Sequence, residues 1–456
     1  MNFLLRIGQA AGAAVLLLTF ACARAGVTSE EAVRLKADLT PLGAERAGNK
    51  EGTIPPWTGG YTAVPAGFKN GGRRPDLFAS DKPLFSITAQ NVAQHADKLT
   101  AGSLAMFKRF PATYRIDVYP SRRTHAAPQW VYDNTLRNAT QARLVETSSG
   151  PTPQGAYGGV PFPLPKTGAE VMWNHALRWR GVAWHWDARN YQVTSDGKHI
   201  VLMDGASDNQ NPYYFNDVPA EKWSGGFYDF VLVNAGPPIR AGEAILARSD
   251  VQDDKTAAWV YLTGQRRVRK LPNPCCDTPT PTSGGLMTFD EVEVFQGRLT
   301  RFDWKLLGKK EMYIPYNSNR TLVPTSDEAV LGERHLNPDH VRWELHRVWV
   351  VEARLAQGQR HPSVRSLYYI DEDTWMAVLA DRWDAHGQLS RTLWQIPYVM
   401  PDLPGVATMT FGFYDQIAGS WFAAGIFNSK SEQIKFMPRY ANAVFSPDSL
   451  ASEGIR

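Results

Sequence analysis

From about residue 178 onward, apolar and polar residues alternate with a period of two. In 341–351 the odd positions hold Val341, Trp343, Leu345, Arg347, Trp349 and Val351, and the even ones begin Arg342, Glu344 and His346. Successive side chains of a strand point to opposite faces, so this spacing predicts a half-buried strand with one apolar face. Comparable runs occur at 178–186, 191–204, 226–234, 257–267, 291–304, 364–369, 374–383, 389–396, 408–414 and 420–427. Turn signals lie among them: Ser195-Asp196-Gly197, Gln296-Gly297 and Asp384-Ala385-His386-Gly387. Strands joined by such short turns predict an antiparallel meander rather than alternating βα units. No fixed-period repeat is visible, which argues against a propeller or solenoid.

Upstream the pattern is helical and then irregular. Thr28 and Glu31 have capping-box spacing and open a short helix to about Leu39, ended by Pro41 and Gly43. Residues 50–83 carry Pro55-Pro56, Gly59-Gly60, Gly71-Gly72 and Pro75 and read as extended coil. Helices are expected at 89–99 and 101–110, the second stopped by Pro111. A Gly- and Pro-rich stretch, 150–165, leads to a second capping box, Thr167 and Glu170, and a helix to about Leu177.

The first 25 residues read as an address. Arg6, an apolar stretch from Ala10 to Phe20 and Ala23-Arg24-Ala25 have the order of a secretory leader with an A-x-A cleavage pattern. The apolar stretch is too short for a membrane helix. A lipid anchor on Cys22 is the weaker reading, because bulky Phe20 precedes it and the usual Leu three residues before it is missing. The expected product is exported, periplasmic and soluble. The net charge is +4, of which Arg6 and Arg24 would leave with the leader. That balance gives no footprint for nucleic acid. The 15 Trp, 31 Pro and 37 Gly instead favour β structure with long ordered loops.

Chemistry is sparse. No G-x-S-x-G, H-E-x-x-H, phosphate-binding or dinucleotide-binding string occurs, so no cofactor is expected. No CxxC pair or His-rich cluster suggests a metal. His175 and His185 lie among tryptophans, where a packing role outweighs ligation. Asp371, Glu372 and Asp373 form an acidic cluster that could run glycoside chemistry, although adjacent acids in a turn are usually solvated. Arg266, Arg267 and Arg269 read as a polar strand face or rim. Cys275 and Cys276 are adjacent, and a disulfide between them would be strained, since bridged Cα atoms prefer about 4.4–6.8 Å.

Several strings then resemble one family. They are LTPLGAERAGN at 39–49, EGTIPPWTGG at 51–60, DKPLFSITAQNV at 81–92, GGVPFPLPKTGAEVMWNH at 158–175, YIPYN at 313–317 and YYIDEDTWMAVLADRWDAHGQLSR at 368–391. Together they are similar to the domain-of-unknown-function 1329 family of exported bacterial proteins. The resemblance implies a fold like the lipoprotein-localisation carriers: mainly β with α, a curved antiparallel sheet or half-open barrel around an apolar cavity, with short helices across its mouth. It also implies an association with export systems for hydrophobic compounds. The family supplies no catalytic residues to carry over, and Cys275-Cys276 departs from its expected pattern.

The resulting division is a leader (1–25), an N-terminal coil-and-helix segment packed on the sheet (26–125), a curved β domain (126–440) and a tail (441–456). The expected function is a carrier for a hydrophobic, lipid-like ligand, serving outer-membrane lipid or lipoprotein traffic or an export system. A membrane exporter or an outer-membrane protein would be its partner. The alternative is an exported hydrolase using Asp371–Asp373. The candidate lining is Val341, Trp343, Leu345, Trp349 and Val351 on one strand face, with Trp259 and Tyr261 at matching period on another.

Overall fold

The computed structural model describes residues 26–453 apart from Asn273. The predicted leader and Cys22 lie outside the described residues. Both capping boxes form. Thr28 caps α1 (Ser29–Ala32), which runs on as a 3-10 turn through Lys36. The helix after Thr100 is α2 (Ala101–Arg109), and the segment before it is a 3-10 helix, Val92–Lys98. The alternation rules did not predict α3 (Gln129–Gln141). Thr167 caps α4 (Gly168–Ala176) with Glu170 reaching back to the cap nitrogen. Two short helices complete the set, α5 (Asp327–Val330) and α6 (Pro447–Glu453).

The strands in chain order are β1 (Phe85–Ile87), β2 (Ile116–Tyr119), β3 (Arg143–Thr147), β4 (Gly150–Gln154), β5 (Ala183–Val193), β6 (His199–Gln210), β7 (Gly226–Gly236), β8 (Ala244–Asp250), β9 (Ala257–Leu262) and β10 (Arg267–Lys270). After a long covering segment come β11 (Phe302–Pro315), β12 (Trp343–Leu355), β13 (Arg365–Asp371), β14 (Ala377–Trp383), β15 (Leu389–Met400), β16 (Gly405–Asp415), β17 (Trp421–Ile426) and β18 (Lys435–Met437). All but the β3–β4 hairpin belong to one 16-stranded sheet. Two meanders, β5 to β10 and β12 to β17, join where β17 pairs antiparallel with β5. The sheet is open, running from β1 to β10 without closing into a barrel. Register shifts such as Leu306/Gly308, Asn190/Tyr191 and Ile396/Tyr398 interrupt most of its ladders, and each bends and twists its strand. The N-terminal segment is part of this sheet, because β2 pairs in parallel with the start of β12.

Neighbouring residues of the second meander pack into different cores. Tyr369 and Trp394 belong to a cluster that includes Met106 and Phe107 of α2. Tyr368 and Leu393 belong to a second cluster that includes Val131 of α3, Val171 and Met172 of α4, and Phe295. The second meander is therefore buried on both faces.

Several expectations change. The even positions of the 341–351 run are not solvated: Arg342 and Glu344 are 0% exposed and His346 is 1% exposed. Coil from the N-terminal segment covers them, and Glu344 accepts from the Arg122 N–H and from Asn317 Nδ2. The expected strand at 291–304 is instead coil with 3-10 turns at Phe289–Glu291 and Leu299–Arg301. Glu293 and Val294 there adopt left-handed φ of 49° and 69°, which breaks any extended run. The runs 191–204 and 257–267 each contain a hairpin turn, and β5 begins at Ala183 rather than at 178. The polar rim of Arg267 and Arg269 matches its expectation, lying exposed on edge strand β10, where charge discourages further pairing.

Candidate functional site

The covering segment 274–301 lies against the sheet between β10 and β11, and polar groups pin it there. His175, in the last turn of α4, accepts the Ala377 N–H at Nδ1 (3.0 Å), so Nε2 carries the proton donated to the Phe295 carbonyl (3.1 Å). Burial, with Arg178 and Arg180 nearby, holds His175 well below the usual imidazole range, consistent with a neutral ring. His185 likewise has a structural partner, Asp208 at 2.7 Å. Asp290 meets His361 at 2.9 Å and Arg382 at 3.2 Å, and Glu291 pairs with Arg391.

Two cavities lie under and beside this segment. The first, about 100 Å³, is walled by Trp186 of β5, Phe230 and Leu232 of β7, Ile245 of β8, Phe411 of β16 and Phe422 of β17, and roofed by Met287 and Phe289. Gly425 completes the wall with φ of 65°, where an added Cβ would sit 1.8 Å from the Met409 carbonyl oxygen, so only glycine fits. The second, about 70 Å³, is bounded by Trp173, Phe227, Cys275, Arg178, Arg180 and Arg298. Gln296 borders both. Arg178 (2.5 Å) and Arg180 (2.6 Å), which line the second cavity, converge on one oxygen of Glu293, which lines the first. Burial would raise the Glu293 carboxyl, but Arg180 and Arg178 hold it below its ordinary value. Burial pushes the Arg178 guanidinium down to about 10 against that pairing. Cys275 and Cys276 are joined as a disulfide beside the second cavity.

The acidic cluster is buried rather than solvated. Arg123 holds Asp373, Arg347 and Lys309 hold Glu372, and Thr374 donates to Asp371 through its N–H and hydroxyl. Burial and then the neighbouring Asp373 push the Asp371 carboxyl up to about 7. Burial acts on Asp373 in the same sense, but Arg123 holds it below its ordinary value. His346 comes close enough to Asp371 and Asp373 for the three to hold a metal ion, which the separation in sequence concealed. None of the three acids lines the principal cavities.

The residues expected to line a ligand surface are dispersed. Val341, Trp343 and Leu345 enter one core, whereas Val351, with Trp349 packed on it, enters the other. Val341 and Trp343 border only a small cavity of about 30 Å³ with Trp394 and Tyr414. Tyr261 and Trp259 pack in a third cluster beneath Phe445 and Leu450 of the C-terminal segment. The aromatic alternation of β5 and β7 was the sequence signal for Trp186 and Phe230. Arg178, Arg180 and Glu293 gave none, because their meeting depends on the covering segment.

No helix among the described residues is long and apolar enough to cross a membrane. The profile described as "Protein of unknown function (DUF1329)" matches residues 86–451. The chain belongs to that family. It is 38% identical over 443 residues to the uncharacterized protein PA3922 of Pseudomonas aeruginosa, covering 95% of each. Among solved structures it is similar to a DUF1329 family protein from Desulfovibrio piger, at 12% identity over 59% of this chain and 92% of that one, with a TM-score of 0.40. It is also similar to a putative outer membrane lipoprotein-sorting protein domain from Vibrio parahaemolyticus, at 12% identity over 62% and 98%, with a TM-score of 0.43.

Proposed function

We propose that this protein is a periplasmic carrier for a hydrophobic, lipid-like ligand, passing it between membranes or to an exporter. The observation that carries the reading is the aromatic-lined cavity between the sheet and its covering segment. An apolar cavity of this order is large enough to bind a small apolar group, and each methylene buried contributes ~0.8 kcal/mol. A longer chain would require Met287 and Phe289 to give way. That roof is a loop pinned by side chains rather than a strand of the sheet, so it is the part able to move. The leader expected from residues 1–25 supports export.

Organic extraction of natively purified protein followed by mass spectrometry tests the reading. A stoichiometric lipid-like species is expected. Fatty-acid and sterol probes should also shift the emission of Trp186, with Trp186→Phe as the control. Protein that is folded, yields no such species and shows no shift with either probe would overturn it.

A further inference from the structure

Two buried guanidinium groups that line the second cavity share one carboxylate, Glu293, that lines the first. Arg178 is 4% exposed and Arg180 is 3% exposed, and both bond the same oxygen of Glu293. Within this trio one positive charge has no counter-ion, and such a charge is costly away from water. Asp250, Asp253 and Arg298 also line the second cavity. Asp253 lies 3.6 Å from Arg298, and Asp250 accepts the Gln252 N–H. Two donors on this wall, Arg178 Nε and Arg298 Nε, are buried without a hydrogen-bond partner; Arg298 Nε faces the unpartnered Asp253 Oδ2, whereas Arg178 Nε has no such acceptor opposite it. The two cavities are also continuous in chemistry. Arg180 lies 4.3 Å above the ring of Tyr228, which borders the apolar cavity, and Gln296 borders both.

Resting on the carrier reading, we propose that the ligand is an amphipathic anion whose oxyanion head binds Arg178 and Arg180 while its apolar chain lies between Phe230, Phe411 and Phe422. A carboxylate or a phosphate head shares this chemistry. Either would accept charge-assisted hydrogen bonds from the guanidinium groups. Glu293 stays in place as the shared hinge of both arginines, so head and chain would be read by adjacent walls.

Calorimetry with octanoate, octyl phosphate and octanol tests this on the wild-type chain. These ligands share an eight-carbon chain and differ in the head. At least one anion is expected to bind about tenfold or more tightly than the alcohol, since a hydrogen bond to a charged group carries that much discrimination. Whichever anion binds more tightly identifies the head. Arg180→Gln, shown to be folded by near-ultraviolet circular dichroism, should bring anion and alcohol to within about twofold. Should that variant fail to fold, the wild-type ratio and its decline with added salt remain as the readout. Octanol binding as tightly as both anions would overturn the inference and leave the carrier reading standing. Absence of binding by all three would count against both.

Discussion

Arg123 grips Asp373 with two hydrogen bonds, 2.9 Å from Nε and 2.6 Å from Nη2, across 250 residues of chain. The pair ties the N-terminal coil to the turn between β13 and β14, and both side chains are buried. Arg123→Ala should destabilise the protein by about 3–5 kcal/mol in urea unfolding, because it leaves an uncompensated buried carboxylate. Arg123→Met combined with Asp373→Asn should recover much of that loss. A single variant within ~1 kcal/mol of wild type would show that the pair does not anchor the segment.

Asp381 sits at the start of α2 and accepts the Gly102 N–H at 3.0 Å. A Cβ on Gly102 would lie 2.3 Å from the carboxylate, so the glycine permits this approach. Burial pushes the Asp381 carboxyl up to about 7, against about 3.9 in an unfolded chain. Between those values the folded chain holds a proton that the unfolded chain has released, so this group's contribution falls as pH rises from about 4 to 7. Asp381→Asn should therefore gain stability relative to wild type on going from about pH 5 to pH 8. Buried His125, pushed down to about 4, acts in the opposite sense between about 6.5 and 4, and the difference between variant and wild type cancels its effect. A difference independent of pH would refute the assignment.

Trp343 and Ala424 separate core packing from ligand binding. Trp343→Ala should cost about 3–5 kcal/mol through lost packing while leaving probe affinity unchanged in the folded fraction. Ala424 lines the apolar cavity, so Ala424→Leu should block probe uptake while costing no more than about 1–3 kcal/mol. The reverse pattern, with uptake lost at Trp343 and kept at Ala424, would move the ligand site to the β12 face.

Phe445 and Leu450 cover the apolar face formed by Val231, Ala244, Leu246 and Tyr261. Removing residues 441–456 should expose that face and raise binding of an apolar dye severalfold, with self-association. Unchanged dye binding and a monomeric species would show that the tail is dispensable for covering Trp259 and Tyr261.

Intact mass of the exported protein should begin at Gly26. A mass that retains lipidated Cys22 would replace the proposed free carrier with an anchored one.

The amino-acid sequence by itself determined what depends on near neighbours. Thr28 with Glu31 and Thr167 with Glu170 cap their helices because both partners lie within one turn. The strands of the second meander follow from alternation along each run, and the hairpin at Asp384–Gln388 from its turn residues. The tertiary structure decided the rest. Glu344 and His346 occupy polar positions of an alternating run, yet they are buried because Tyr316, Asn317 and the Arg122 backbone arrive from other segments. Glu293 reads as part of a strand but turns left-handed to meet Arg178 and Arg180, more than 100 residues away. Trp259 and Tyr261 read as a ligand face but lie beneath the chain's own C-terminal segment. Periodicity encodes which face of an element is apolar. What covers that face is settled by the free energy of burial and by the partners that long-range folding brings to each buried charge.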